Sequence, residues 1–296
     1  MILQQLNRIR SLLIVAILVN GTAGAQLYPA KPVRMLVPFP PGGGTDYIAR
    51  LLGRDLSEIW GQTVLIENRP GASMMIASEI VAKAPPDGYT IIMSSSNHTI
   101  NPSLYSKIPY DTVKDFAAVT QVATSPFVLV THPSLPVKSV KELIALARAR
   151  KGQLTYASSG TGSVVHLGME MFKSMAGVPM THIPYKGSCQ SMVDVIGGRV
   201  QLAITNSLTA TPLVRTGKLR ALAVTGAKRS NSFADLPTIA EAGVPGFELT
   251  SWYGVFTPTK TPMPIVRIIN RDITDIMNTP DMKEKLTADA AEPPPA

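Results

Sequence analysis

The chain has 296 residues, of which 45% are hydrophobic and 16% are charged, and its formal net charge is +8. This composition is typical of a globular protein and excludes a disordered or low-complexity chain. The lysines and arginines are scattered, with no clustered or aromatic-interleaved patch, so we expect no nucleic-acid partner. Cys189 is the only cysteine of the sequence. We therefore expect no internal disulfide and a buried, unreactive thiol.

The first 25 residues have the pattern of a secretory signal peptide. Arg8 and Arg10 precede an apolar run at 11–19, and small residues lead to a cleavage site after Ala25. An uncleaved membrane anchor is the alternative, but the apolar run is well short of the roughly 20 residues that a membrane span needs. We expect residues 1–25 to be removed and the remaining chain, about 270 residues, to be exported.

An apolar run at 34–37 is followed by prolines, by three glycines at 42–44, and by a helical pattern at 47–59. Prolines end a strand and glycines allow a tight turn, so this stretch predicts strand, loop and helix. We expect Thr45 or Asp46 to cap the helix. The unpaired N–H groups at such a helix start suit a carboxylate or a phosphate. A loop that merely connects a strand to a helix is the alternative.

The same pattern of strand followed by small polar loop recurs along the chain. Helices are expected at 74–83, 140–150, 164–176 and 190–196. Strands that alternate with helices predict parallel sheets, in which ligands lie beyond the carboxyl ends of the strands. Three polar loops precede the apolar run 126–130 and three follow it, which predicts two lobes with a cleft between them. The six loops lie at 38–46, 68–73, 94–98, 158–163, 186–188 and 206–207.

Familiar enzyme signatures are absent from these loops. Both glycine loops lack the third glycine of the dinucleotide fingerprint, and no phosphate-binding GxxxxGK[ST] occurs. Ser158, Ser159 and Ser163 lie near His166 in the sequence, but no G-x-S-x-G elbow is present. The four histidines show no metal-ligand spacing. We therefore expect no metal, no cofactor and no catalytic residue, and we expect Asp46 to act as a helix cap rather than a base.

Several motifs together resemble those of the Bug receptors, the extracytoplasmic solute-binding proteins of tripartite tricarboxylate transporters. The resemblance covers nearly the whole chain after the signal peptide. The motifs that carry it are Pro-Phe-Pro-Pro-Gly-Gly-Gly-Thr-Asp at 38–46, Glu-Asn-Arg-Pro-Gly-Ala at 67–72, Pro-Asp-Gly-Tyr-Thr at 86–90, Asn-Pro-Ser-Leu-Tyr at 101–105, Ser-Gly-Thr-Gly-Ser at 159–163 with His166, Pro-Tyr-Lys-Gly at 184–187, Gly-Lys-Leu-Arg-Ala-Leu-Ala-Val-Thr at 217–225 and Trp-Tyr-Gly at 252–254.

The resemblance implies an α/β, type II-like periplasmic binding protein with two lobes, each a sheet flanked by helices. The expected lobes are 26–125 plus 250–296, and 126–249, with hinge crossings near Val128 and Ser251. Such a receptor is expected to capture a small carboxylate in the cleft as a monomer and to deliver it to the membrane subunits of a tripartite tricarboxylate transporter. The ligand-binding residues nominated in this way are Phe39, Gly42, Gly43, Gly44, Ser95, Ser158, Ser159, Gly160, Thr161, Gly162, Ser163, His166 and Asn206.

Three departures from the family pattern limit these expectations. Relatives usually have further glycines where this chain has Ser73, Met74 and Met75, which predicts a bulkier loop. Thr205 replaces a common aspartate, which removes a possible partner for an amine. The family continues with another strand and helix, so we expect exposed apolar surface near the helix at 264–277. An exported enzyme acting on a small carboxylate, through a serine or His166, is the alternative function.

Overall fold

A computed structural model of the protein describes residues 28–288 and 291–292. The expected signal peptide, residues 1–25, lies outside the described residues. The strands are β1 Val33–Val37, β2 Val64–Asn68, β3 Thr90–Ser95, β4 Phe116–Thr131, β5 Thr155–Ser158, β6 Thr181–Pro184, β7 Leu202–Asn206, β8 Arg220–Val224 and β9 Thr250–Pro258. The α-helices are α1 Gly44–Trp60, α2 Met75–Ala82, α3 Asn97–Leu104, α4 Val140–Ala149, α5 Val164–Ala176, α6 Ser188–Ile196, α7 Ser207–Arg215, α8 Met263–Asn278 and α9 Pro280–Ala288.

The long strand β4 belongs to two sheets. Its first part pairs with β9 as far as the Pro126–Thr250 pair, and its last residues, from Phe127, pair with β7 and β8. The hydrogen-bonded order is β2-β1-β3-β9-β4-β7-β5-β6, with β8 also on β4. We call β2, β1, β3, β9 and the first part of β4 the first sheet. The second sheet consists of the last part of β4 with β5 to β8.

The two sheets have separate hydrophobic cores. The buried residues of one pair of clusters come from residues 33–123 and 253–291, around side chains such as Met35 and Ile273. Those of the other pair come from residues 127–247, around side chains such as Tyr156 and Phe172. No buried residue of a described cluster on one sheet belongs to a cluster on the other. The fold is therefore the two-lobed α/β architecture that the sequence predicts.

The sheets are mixed rather than parallel throughout. β1 runs parallel to β2 and β3, and β5 runs parallel to β6 and β7, as the alternation of strands and helices predicts. β9 is antiparallel to β3 and to β4, and β4 is antiparallel to β7 and β8. These antiparallel strands are the ones that connect the two sheets. Several of the antiparallel pairings join residues that are more than a hundred positions apart in the chain. No local sequence pattern predicts such pairings.

The helix after the first glycine loop begins earlier than expected. α1 starts at Gly44, its N-cap is Gly43, and no side chain caps it. The predicted capping role of Thr45 or Asp46 is therefore wrong, because both residues lie inside the first turn. α5, by contrast, starts at Val164 as predicted, and the Ser163 hydroxyl accepts a hydrogen bond from the His166 N–H. An uncapped first turn leaves the α1 amides available to another acceptor.

Of the expected exposed apolar surface near 264–277, the described residues show only Met263, which is 56% exposed at the start of α8. The apolar stripe of α8 is buried against the first sheet, with Ile269 and Ile273 fully buried. α9 packs beside it and buries Met282 and Leu286. Glu292 then pairs with Thr124 of β4 in an antiparallel bridge. In the described part of the chain, the helices are too short or too polar to cross a membrane.

Candidate functional site

All six polar loops meet where the two sheets face each other. Each loop follows a strand of a parallel pair, so topology places each at the carboxyl edge of its sheet. Two neighbouring cavities open between them, and both are lined by Phe39, Pro40 and Ser159. The loops after β3 and β7, near the middle of the strand order, line only the first, which we call the central cavity. The second, the lateral cavity, lies between the loops of β1, β2, β5 and β6.

The central cavity is small and electrically neutral. Its volume is about 50 Å³, against about 680 Å³ for the lateral cavity. No lysine, arginine, aspartate or glutamate is among its described lining residues. Its size fits one carboxylate group rather than a whole organic acid. Its lining residues are Phe39, Pro40, Gly43, Gly44, Thr45, Ser95, Asn97, Phe127, Ser159, Val164, Val165, Ser188, Cys189, Asn206, Ser251 and Tyr253.

The start of α1 forms one wall of the central cavity. Gly43, Gly44 and Thr45 line it, and no side chain caps their helix. The first-turn N–H groups of a helix have no partner within the helix, and the helix dipole makes this end positive. A β-carbon at Gly44 would lie 2.9 Å from the Tyr253 hydroxyl and 3.2 Å from Cγ of Asn206. Glycine is therefore required for the loop to approach both neighbours this closely.

The carboxylate of Asp46, in the first turn of α1, bonds to the preceding glycine loop. The buried Asp46 carboxylate accepts hydrogen bonds from the Gly42 N–H at 2.9 Å and from Asn68 Nδ2 at 2.8 Å. The Arg50 guanidinium donates to both of its oxygens, at 2.9 and 3.0 Å. Burial alone would raise the pKa of this carboxyl, but the bonds from Arg50, Gly42 and Asn68 lower it below its usual value. Asp46 is therefore ionised, and its hydrogen bonds stabilise the glycine loop.

Asn97 links the loops of the two sheets. Its Nδ2 donates to the Ser73 hydroxyl at 2.9 Å and approaches the Gly162 carbonyl at 3.4 Å. Its Oδ1 lies 3.5 Å from the Val164 N–H at the start of α5. Asn97 follows β3 and Ser73 follows β2, both in the first lobe, whereas Gly162 and Val164 follow β5 in the second lobe. The contacts of Asn97 with Gly162 and Val164 therefore span the cleft and hold the glycine-serine loop against the first lobe.

Two stacked histidines support the loop at 158–163 from outside the cavities. The Gly162 N–H donates to His166 Nδ1 at 3.2 Å. His182 Nε2 lies 2.7 Å from the Ser158 hydroxyl, and the Gly160 N–H donates to the same hydroxyl at 3.1 Å. The two imidazole rings stack with centroids 4.1 Å apart. Ser158 is buried and lines neither cavity, so its contact with His182 supports the loop and does not present a nucleophile to the cleft.

The lateral cavity is large enough for the body of a ligand. It encloses about 680 Å³, within the usual range for small-molecule sites. Lys186 is the only formally charged residue of its described lining. The lining residues are Pro38, Phe39, Pro40, Pro70, Gly71, Ala72, Ser73, Met74, Tyr105, Ser159, Gly160, Thr161, Ser163, Tyr185, Lys186 and Gln190.

One wall of the lateral cavity has an unusual backbone. Ala72, Ser73 and Met74 have φ angles of +45°, +51° and +79°, the left-handed region that costs non-glycine residues about 1 kcal/mol or more each. The Asn101 side chain holds the turn by donating to the Ser73 carbonyl at 2.7 Å. The turn also buries Met74 completely. Non-glycine residues at 72–74 therefore give the site a strained turn.

Most of the nominated binding residues line one of the cavities. Those that do are Phe39, Gly43, Gly44, Ser95, Ser159, Gly160, Thr161, Ser163 and Asn206. Gly42, Ser158, Gly162 and His166 line neither cavity and lie behind these residues. Cys189 was expected to be buried, but it is half-buried and lines the central cavity. The described residues contain no group of three or more His, Cys, Asp or Glu side chains that could hold a metal ion.

Several lining residues escaped the sequence analysis. Asn97 and Ser188 lie in polar loops that were recognised, so only their side chains were missed. Phe127, Ser251 and Tyr253 lie on β4 and β9, the strands that link the two sheets. No sequence motif signals that such strand residues face a cleft. The only indication that Tyr253 belongs to the site was its place in Trp-Tyr-Gly at 252–254, which was noted as a family motif.

The sequence of residues 48–295 matches the tripartite tricarboxylate transporter family receptor. The chain belongs to this receptor family. It is 39% identical to the protein BugT of Bordetella pertussis, over 97% of this chain and 90% of BugT. The expected resemblance to the Bug receptors is thereby confirmed.

Solved structures of receptors share the fold. The R. palustris protein Rpa4515, solved with adipate, is 44% identical and superimposes with a TM-score of 0.88 over 90% of this chain and 89% of that one. MatC from Rhodopseudomonas palustris, with bound malate, is 31% identical with a TM-score of 0.85, over 90% of this chain and 91% of that one. The periplasmic binding protein BugD is 34% identical with a TM-score of 0.86, over 90% of this chain and 89% of that one. The family is one of transporter receptors, and BugD is a periplasmic binding protein.

Proposed function

We propose that this receptor takes one carboxylate group of a small organic acid into the central cavity and holds it on the uncapped start of α1. The observation that carries the proposal is the neutral cavity of about 50 Å³ lined by Gly43, Gly44 and Thr45. Backbone N–H groups and the positive helix end bind a carboxylate without a cationic side chain. Ser159 and the start of α5 form the opposite wall.

The remainder of the ligand occupies the lateral cavity. Phe39, Pro40 and Ser159 border both cavities, so an acid whose carboxylate lies in the central one can extend its body past them. No acidic residue is among the described lining residues of either cavity, and therefore an amino group would have no carboxylate partner. We therefore favour acids without an amine. The adipate and malate of the two related structures are ligands of this type.

The two sheets move relative to each other to admit the ligand. The change of β4 partner between Pro126 and Phe127 supports lobes at 26–125 plus 250–296 and at 126–249. The hinge crossings are then in β4 near Val128 and in β9 near Ser251. Such crossings absorb the change in backbone angles when lobes close. The Tyr105 hydroxyl of the first lobe donates to the Thr161 carbonyl of the second at 3.2 Å, a contact that supports a closed arrangement of the lobes.

Export and delivery complete the proposed function. A signal peptide at 1–25 directs the chain to the periplasm, where it acts as a monomer. The closed, loaded form delivers its acid to the membrane subunits of a tripartite tricarboxylate transporter. Membership of the receptor family supports this partner.

Ligand-induced stabilisation tests the proposal. Purified protein from residue 26 is heated with adipate, with malate, or with adipamide, which has the length of adipate but no charge. A ligand that binds only the folded state raises the melting temperature, by an amount that grows with its concentration above Kd. We expect a carboxylate to raise it and adipamide to leave it unchanged. Equal shifts with adipamide, or no shift with either acid or a wider set of di- and tricarboxylates, would contradict the proposal.

Mass spectrometry of the bound fraction separates the receptor from the enzyme alternative. The protein is incubated with a labelled acid that stabilises it, and the bound and free acid are analysed after several hours. A receptor returns the acid unchanged at one equivalent per chain. Many equivalents of a product per chain would establish the enzyme instead.

A further inference from the structure

His166 and His182 form a stacked pair behind the carboxylate-binding loop at 158–163. Neither ring lines a cavity, so neither touches a ligand directly. Each ring contacts the loop: His166 Nδ1 accepts the Gly162 N–H, and His182 Nε2 contacts the Ser158 hydroxyl. The loop residues between these two contacts, 159–161, all border the lateral cavity. The rings are therefore placed to fix the backbone that the ligand meets.

The bond from Gly162 requires a neutral His166. A backbone N–H can only donate, so His166 Nδ1 must be unprotonated and its proton must lie on Nε2. A protonated imidazolium carries hydrogens on both nitrogens and has no acceptor left. It would place an N–H against the Gly162 N–H and break this support. The contact of His182 is different, because the Ser158 hydroxyl can donate or accept and does not fix the protonation of Nε2.

The charged and titratable groups around the pair come from two elements, β5 and α5. Tyr156 on β5 stacks on His182 at 4.9 Å. Glu170 and Lys173 on α5 face both rings, but Glu170 is already paired with Lys173 at 2.7 Å and with the Tyr156 hydroxyl. His166 also lies in the first turn of α5, where the helix dipole disfavours a positive charge. Burial lowers the pKa of His166, and burial followed by the repulsion of His166 lowers that of His182 to about 4.

We propose that His166, backed by His182, is a positioning residue that holds the 158–163 loop in its carboxylate-binding form only while its ring is neutral, so that affinity falls as the pH is lowered. The inference rests on the proposed carboxylate site. The folded-state pKa of His166 lies below the usual histidine value near 6.5, so its neutral form dominates above about pH 6.5 and is lost as the pH falls further. Because a ligand carboxylate would by itself attract a ring proton, a purely electrostatic role predicts the opposite trend.

Two variants at position 166 separate the effect of the hydrogen-bond acceptor from the effect of the size of the ring. In His166→Asn, the amide oxygen can replace Nδ1 as the acceptor for Gly162 and does not titrate. In His166→Leu, a methyl group takes that place and no acceptor remains. The dissociation constant of adipate, or of the acid that stabilises the protein most, is measured at pH 7.5 and 5.0. The acid's own titration is common to all three proteins and cancels in the comparison.

The expected results are specific. The wild-type affinity should fall from pH 7.5 to pH 5.0 by about two- to tenfold more than that of His166→Asn, which is the range that one net hydrogen bond spans. His166→Leu should bind more weakly than wild type at pH 7.5 and show no extra loss at pH 5.0. The inference is overturned if wild type and His166→Asn show the same pH dependence, or if wild-type affinity rises on acidification.

A measurement without ligand keeps the inference separate from the proposed function. Nitrogen chemical shifts of the His166 ring and the Gly162 amide are recorded in the free protein from pH 8 to 4. We expect an Nε2–H tautomer at pH 8 and a Gly162 amide shift that follows the ring titration. If this is seen but no carboxylate binds, the proposed function fails and the loop support stands. If carboxylates bind but the Gly162 amide does not follow the ring, the inference fails alone.

Discussion

Gly44 and Tyr253 approach so closely that a β-carbon at position 44 would lie 2.9 Å from the tyrosine hydroxyl. Gly44 begins α1, and Tyr253 lies on β9, one of the two strands that connect the sheets. The same β-carbon would lie 3.0 Å from Cδ1 of Leu208, in the second lobe. The closed form therefore depends on the absence of a side chain at this position.

Gly44→Ala should weaken carboxylate binding by about 1 to 3 kcal/mol, the usual cost of overpacking a well-packed region. Gly43→Ala is the matched control, because the nearest atom to its β-carbon is the Pro40 carbonyl oxygen at 4.0 Å. Titration calorimetry on both variants measures the difference. Adding Tyr253→Phe to Gly44→Ala removes the closest contact and should recover part of the lost affinity. Equal affinities for the two alanine variants would contradict the steric account.

Asn97→Ala should lower carboxylate affinity more than it lowers the melting temperature. Its contacts with Gly162 and Val164 cross the cleft and exist only when the lobes are closed, whereas its bond to Ser73 stays within the first lobe. Two or three weak bonds are worth about 0.5 to 1.5 kcal/mol each. Tyr105→Phe removes one exposed bond across the cleft, to Thr161, and serves as the control with a smaller effect. A large loss of stability with unchanged affinity would show that Asn97 is structural only.

Ala72→Gly should stabilise the protein, although the same change usually destabilises. Ala72 is exposed and has a φ of +45°, so glycine relieves a left-handed strain of about 1 to 2 kcal/mol. The entropy cost of glycine, about 0.5 to 1 kcal/mol, offsets part of this gain. Ala149→Gly at an exposed position in α4 is the control and should lower stability. Chemical denaturation of both variants tests the sign, and a destabilised Ala72→Gly would exclude strain in this turn.

Asp46→Asn should remove a pH-dependent part of the stability. The folded-state pKa of Asp46 lies below its unfolded value, so the folded protein binds fewer protons in acid than the unfolded chain. This stabilisation is present above about pH 4, the unfolded value, and is lost as the pH falls through the folded-state pKa. The wild type should therefore exceed the variant in unfolding free energy at pH 7, and the gap should narrow below pH 4. A difference in unfolding free energy that does not change with pH would mean that the ionised form of Asp46 does not stabilise the loop.

The sequence predicted the position of the six loops better than it predicted the connection between the lobes. Strand-loop-helix repeats place six loops at sheet edges by topology alone, and the structure brings all six to the two cavities. The pairing of β4 with β9 and the position of Tyr253 could not be predicted, because they depend on contacts between residues far apart in the chain. The uncapped start of α1 was missed for a local reason. Aspartate is a common residue at the N-cap of a helix. Asp46 instead lies inside the first turn, where its carboxylate accepts hydrogen bonds from Arg50 and Asn68.

The central claim is that the start of α1 in the central cavity holds the ligand carboxylate, and titration calorimetry of Gly43→Leu tests it most directly. Gly43 lines this cavity with φ −83° and ψ 167°, angles that leucine also adopts, so the variant should fold. Circular dichroism and the melting temperature establish that it does. We predict that folded Gly43→Leu loses measurable binding of the acid that stabilises the wild type, while Gly43→Ala retains it. A folded Gly43→Leu variant with wild-type affinity would place the carboxylate elsewhere and contradict the account.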